Sequence, residues 1–225
     1  MSPAIGIEIF HNFTLLHDDI MDKASMRRGF QTVHEKWNNN TAILSGDAML
    51  IKSYQSMMDV DSKIIKNVLE IYNDAAVKVC IGQQWDMDFE NKKQVEISEY
   101  INMIEYKTAV LLAAALQIGG VTGGADIKNQ LFLYNFGKNL GIAFQLKDDL
   151  LDAFGDIDVF GKETGGDIKS NKKTFLYLKS LSIANNKQKI ILEKYFEKNI
   201  IDSEEKINHV KEIFLDLKIP EHTNK

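Results

Sequence analysis

Leu15–Gly29 reads LLHDDIMDKASMRRG. It sets Asp18, Asp19 and Asp22 at the end of an apolar run and follows them with the paired cations Arg27 and Arg28. The preceding residues, among them Ile5, Ile7, Ile9, Phe10, Phe13, Leu15 and Leu16, have the apolar density of a buried helix. Nothing after Gly6 breaks that run. On a helix, Asp18 and Asp22 are four apart and share a face, an arrangement unfavourable by about 0.2–0.5 kcal/mol unless a cation sits between them. A single pattern of this kind is equally well a solvated acidic helix end.

The pattern recurs. Asp148, Asp149 and Asp152 repeat the spacing in AFQLKDDLLDAFGD, again at the end of an apolar helical run. Two such carboxylate pairs facing each other across a cavity would repel strongly without a divalent cation. All-oxygen ligands with spare positions suit Mg²⁺, or Mn²⁺ in its place, and Mg²⁺ commonly completes its shell with substrate phosphates. The sequence therefore points to a diphosphate held through metal.

Composition narrows the class further. The chain has 225 residues, 44% of them hydrophobic, enough for one globular core, and nothing demands a second domain. Pro3 and Pro220 are its only prolines, which leaves long stretches free for helix. The single cysteine, Cys80, excludes an intramolecular disulfide and fits a reducing compartment. No secretory signal is visible, and the longest unbroken apolar run, Ala109 to Leu116, is too short to span a bilayer. These readings give a cytoplasmic protein without stable membrane insertion. The net charge of -5 argues against nucleic acid as a partner but leaves a small anionic substrate open.

Along the chain, Phe30 to Asn40 reads as a loop, and Thr41 to Met58 as a helix in which Ser45-Gly46-Asp47 serves close packing. Asp61 to Phe89 is a long helical stretch ending in Gly82-Gln83-Gln84-Trp85-Asp86, where Gln83 and Asp86 share a face or simply meet solvent. Ser98 to Gly119 reads as the next helix, with Lys107-Thr108 just before the apolar run. A lysine there either reaches an anion or snorkels to water. Gly119 to Asp126 reads as a turn. Gly161-Lys162 is followed by Glu163 and lacks the upstream glycine of a Walker A loop, so nucleotide hydrolysis is not expected. No catalytic triad or zinc spacing stands out.

LLHDDIMDKASMRRG, FQLKDDLLDAFGD and the later GKETGGDIKSNKKT resemble, in order, the two aspartate-rich motifs and the following loop of the trans-isoprenyl diphosphate synthases, the polyprenyl synthetases. The resemblance implies an all-α helical bundle around a central cavity, one domain over 1–225, usually homodimeric. The resemblance also implies condensation of an allylic diphosphate with isopentenyl diphosphate. Carried over, Asp18, Asp22 and Asp148 bind Mg²⁺, with Asp19, Asp149 and Asp152 as nearby or water-mediated ligands. Arg27, Lys107 and Lys162 neutralise the departing diphosphate, Lys162 and Lys172 close over it, and His11 and Arg28 meet isopentenyl diphosphate. Thr108 and Gln145 face the reacting carbon. Arg27 and Arg28, about 100° apart if helical, would serve different diphosphates. An aromatic five residues before the first aspartate, Phe13, with Phe10 below it, resembles the floor of short-chain enzymes making C15 to C20 products.

The chain departs from this pattern at both ends. It begins after the place of the isopentenyl-diphosphate-binding Gly-Lys-x-x-Arg segment and stops before the last helical segment, as an internal fragment would. An apolar face is therefore expected to be exposed. A class I terpene cyclase is one rival, disfavoured by the second DDxxD. A non-catalytic partner subunit is the other.

Overall fold

The computed structural model describes residues 1–155, 164–196 and 203–224. Apart from one two-stranded hairpin, the regular elements among the described residues are helical. The chain divides into two compact units: Met1–Val79 with Val110–Lys138, and Cys80–Ala109 with Asn139–Lys225.

In the first unit, α1 (Ser2–Met21) starts with Pro3 in its first turn, where the missing N–H is no loss. It packs along α3 (Asn39–Met58). Glycine at two points permits the approach: a Cβ on Gly6 would fall 3.1 Å from the Ser53 carbonyl oxygen, and one on Gly46 would fall 2.2 Å from the His17 ring. Ser53 donates a hydrogen bond to the Gly6 carbonyl at 2.7 Å, and its oxygen also lies 2.7 Å from the Tyr72 hydroxyl. Asn38 closes the expected Asn-rich loop as a cap, accepting the Thr41 N–H at 2.8 Å. The first part of α4 (Ile65–Asn91), α6 (Val110–Thr122) and the first part of α7 (Ile127–Phe154) complete the unit.

Phe10 is 1% exposed in this core, edge-to-face with Tyr72 at 5.3 Å and tilted against Phe13 at 5.5 Å. Phe10→Ala is expected to destabilise the chain by about 3–5 kcal/mol. A denaturant midpoint unchanged from wild type would contradict this.

The stretch expected to be a loop after the first motif is partly ordered. Strands β1 (Met26–Arg27) and β2 (Phe30–Gln31) pair antiparallel around Arg28 and Gly29, and α2 (Val33–Lys36) follows. Both turn residues have positive φ, 51° and 80°, the conformation that a two-residue hairpin turn matching strand twist requires. The helix expected over Ser98–Gly119 is instead α5 (Ile97–Ile104), a π-helical turn at Glu105–Ala109, and α6, which runs on through Gly119 and Gly120 to Thr122. Together Ile97–Thr122 make 26 residues, long and apolar enough by composition to cross a bilayer, which the short run Ala109–Leu116 did not reveal. The stretch carries Glu99, Glu105 and Lys107, and sends Tyr100 and Ile104 into the core of one unit, Val110 and Ile118 into that of the other.

In the second unit, Glu96 and Glu99 form a reciprocal capping box that starts α5. Beyond α7 come α8 (Gly166–Lys169), α9 (Phe175–Ile183), α10 (Asn186–Phe196), α11 (Ser203–Asp216) and α12 (Ile219–Thr223). Their apolar faces meet around Leu176, Leu192, Val210, Phe214 and Ile219, none more than 2% exposed.

Candidate active site

Two groups of the expected residues assemble, one in each unit. In the first, Asp18 and Asp19 lie on the last turn of α1, Asp22 is its C-cap, and His11 stands two turns upstream, 4.0 Å from Glu8. Asp19 is buried, 5% exposed, and is compensated by Arg27. The Arg27 Nε donates to both Asp19 oxygens at 2.8 and 2.9 Å, and one terminal nitrogen reaches Asp19 Oδ1 at 2.8 Å and Asp18 Oδ2 at 3.8 Å. The hydrogen bond to Asp19, ahead of the surrounding carboxylate charge, raises the guanidinium's pKa.

This geometry corrects the premise about the arginine pair. The helix ends at Met21, so the two arginines diverge through a hairpin: Arg27 sits on β1 and turns to the carboxylates, while Arg28 occupies the left-handed turn and is exposed. Arg27→Ala would leave a buried carboxylate without its cation, which is destabilising even after allowance for the solvent around the half-exposed arginine. Arg27→Ala should therefore lower Tm as well as weaken anion binding, whereas Arg28→Ala should leave Tm unchanged. Equal Tm values for the two variants would contradict this assignment.

In the second unit, a cavity of about 130 Å³ is lined by Lys107, Thr108, Gln145, Asp148, Asp149, Asp167 and Lys172, with Asp86, Tyr100, Lys173 and Thr174 among its other walls. The π turn that presents Lys107 and Thr108 is seated between two glycines. A Cβ on Gly82 of α4 would fall 2.2 Å from the Lys107 nitrogen, and one on Gly141 of α7 would fall 2.5 Å from the Ala109 Cα. Trp85 stacks on Tyr106 at 5.0 Å, and Lys107 Nζ pairs with Asp86 Oδ2 at 2.6 Å.

Thr108 donates to Gln145 Oε1 at 3.1 Å, and Gln145 Nε2 donates to Asp149 Oδ1 at 3.1 Å. Tyr100 donates to the other Asp149 oxygen. Asp149 is only 3% exposed, and burial pushes its pKa up to about 6. Each Asp149 oxygen accepts a hydrogen bond, and the one from Gln145 orients that amide. Asp148 is exposed to the cavity side chains' solvent. Asp152 accepts the Asp167 N–H at 3.0 Å, and the Gly165 N–H bonds to the Asp152 carbonyl at 2.6 Å. Asp167 was not singled out in the sequence. Burial first, then the Asp152 charge, pushes its pKa up to about 7, with Lys172 Nζ at 4.0 Å opposing. Its only signal is the acidic residue directly after Gly165-Gly166. Lys162 lies outside the described residues.

Among the described residues, no three carboxylate, histidine or cysteine side chains are gathered closely enough to cage a metal ion. The chemistry of the donors nevertheless fits a hard divalent cation. They are carboxylate oxygens, and Asp148, Asp149 and Asp152 each push the Asp167 pKa upward, a mutual repulsion that a bound cation would relieve.

The chain matches the polyprenyl synthetase family over residues 2–214 and belongs to it. It is 40% identical over 187 residues to the short chain isoprenyl diphosphate synthase of Methanothermobacter thermautotrophicus, covering 83% of this chain and 58% of that relative. A crystal structure of a geranylgeranyl pyrophosphate synthase matches with a TM-score of 0.94 and 49% identity, over 99% of this chain and 69% of the other. The geranylgeranyl pyrophosphate synthetase of Pyrococcus horikoshii matches with a TM-score of 0.91 and 35% identity, over 99% and 68%. The all-α fold implied by the motifs is thus the fold of the family. The chain spans just over half the length of the curated relative.

Proposed function

We propose that the chain carries the catalytic machinery of a Mg²⁺-dependent trans-prenyltransferase that condenses an allylic diphosphate with isopentenyl diphosphate, releasing diphosphate. The observation that carries this reading is the cavity where Lys107, Thr108, Gln145, Lys172 and the carboxylates of α7 converge. Asp18 and Asp22 in the first unit, and Asp148 with Asp152 and Asp167 in the second, are the carboxylates that would hold divalent metal, each group within its own unit. Bound there, Mg²⁺ supplies positive charge that makes the allylic diphosphate a better leaving group. Lys107 and Lys172, at the wall of the cavity, take up the charge that grows on that group as the allylic C–O bond breaks, and Arg27 supplies the cation of the first unit's carboxylate group. His11 and Arg28 bind isopentenyl diphosphate, whose double bond attacks the allylic cation, and the released diphosphate accepts the proton. The Thr108 hydroxyl donates a hydrogen bond to Gln145 Oε1, which leaves oxygen lone pairs and an amide dipole near the cation without a free nucleophile. Asp149 and Tyr100 fix that amide.

Phe13, half-buried beside Phe10, limits the product to C15–C20. The protein is soluble and acts as a homodimer, for which exposed Leu44, Ile51 and Met58 of α3 supply an apolar surface. Sedimentation as a monomer at all concentrations would remove the dimer. The function is tested by incorporation of labelled isopentenyl diphosphate into an organic-soluble product, together with calorimetry of inorganic pyrophosphate in Mg²⁺. Absence of incorporation together with absence of Mg²⁺-dependent binding would overturn it.

A further inference from the structure

We propose that Lys206 is a positioning residue: it props the segment Gly165–Thr174 from behind, so that Lys172 and Asp167 are held at the wall of the cavity. This inference rests on the prenyltransferase reading for its anion and on the following geometry for its mechanism. Lys206 lies on α11 and is 3% exposed, yet among the described residues it forms no ion pair with a carboxylate. Its ammonium donates to Asn171 Oδ1 and lies 5.1 Å from the centre of the Phe196 ring. Burying a lysine against a neutral amide and an aromatic face is expensive compared with burying a methionine of similar length. The environment lowers its pKa to about 8 through desolvation.

Its acceptor is at the point where the segment turns. Asn171 has a left-handed backbone with φ of 58°, and its neighbour Lys172 returns an N–H to the Asp167 carbonyl at 2.9 Å. The residue after Lys206 makes the second contact: a Cβ on Gly165 would fall 2.8 Å from Ile207 Cγ2. The segment is thus gripped by α11 at both ends of α8, at Gly165 and Asn171, while Asp152 holds it from α7 through the Asp167 N–H. Of the two contacts from α11, only the one at Asn171 is a directional polar bond, so Lys206 sets where Lys172 begins.

The test uses the whole chain with Lys206→Met, Asn171→Gly and the double variant. Glycine accommodates the left-handed backbone at φ 58° and removes the acceptor. Lys206→Met should melt no lower than wild type, so that weaker binding is not a stability effect. Hydrogen exchange should quicken at 170–174, and the affinity for inorganic pyrophosphate in Mg²⁺ should fall about tenfold. Asn171→Gly should do the same, and the double variant no worse than either, because both remove one interaction. Unchanged exchange in Lys206→Met overturns the proposal, as does quickened exchange with wild-type pyrophosphate affinity. Failure of the unsubstituted chain to bind pyrophosphate overturns the transferase reading, and with it the role of this segment in holding an anion.

Discussion

Asp148→Asn and Asp18→Asn should each lower turnover by about 10²–10³ while leaving helix content and Tm near wild type. The change is nearly isosteric, so what it removes is charge. Asp148 is exposed at the cavity of the second unit, and Asp18 is on the last turn of α1 within 3.8 Å of the Arg27 guanidinium. Asp148 is exposed, and Asp18 is partly buried but keeps its shape as asparagine, which is why the loss should fall on chemistry more than on stability. An amide oxygen is a poor ligand for a hard divalent cation beside the carboxylate it replaces. The pyrophosphate affinity measured in Mg²⁺ should therefore drop in both variants. Full turnover of labelled isopentenyl diphosphate in either one would remove that residue from the metal assignment.

The two aspartate groups were legible because their chemistry is carried by residue type at short spacing on a helix. The helical architecture was legible for a related reason, since long apolar periodicity with two prolines leaves little else. What sequence spacing misjudged lies where the backbone leaves regular geometry. The Arg27–Arg28 divergence comes from a hairpin turn with positive φ at Arg28 and Gly29, and no count at 3.6 residues per turn could anticipate it. The π turn at Glu105–Ala109 is set by two glycines distant in sequence, Gly82 and Gly141, so the local run looked like plain α-helix. Asp149 reads the same as Asp148 in sequence. Its different environment follows from burial under Tyr100, a contact across 49 positions. Asp86 was open between a site role and solvent, and its ion pair with Lys107 places it at the cavity.

Gly82→Ala is expected to disable the site from outside the reacting groups. The added Cβ would stand 2.2 Å from the Lys107 nitrogen, 2.7 Å from its Cα and 2.7 Å from the Tyr106 carbonyl carbon. All three are backbone atoms, so no rotamer change relieves the clash, and either α4 or the π turn must move. Trp85 stacked on Tyr106 and Asp86 paired with Lys107 lie within the next turn of α4 and tie the same two elements together. Separation therefore strains those contacts, and remodelling of the turn breaks the Thr108–Gln145 hydrogen bond. Overpacking of this kind costs about 1–3 kcal/mol, and at this chain length each kcal/mol lowers Tm by roughly 2–4 °C. The effect on turnover should be larger, about 100-fold, because displacements near 1 Å at reacting groups have that consequence. Gly119→Ala is the control. It lies within α6 with nothing within 4 Å of the new Cβ, and a helical alanine there should be neutral or stabilising by about 0.5–1 kcal/mol. Wild-type turnover and Tm in Gly82→Ala would mean that the π turn yields without moving Lys107, and that the glycine seat does not position the site.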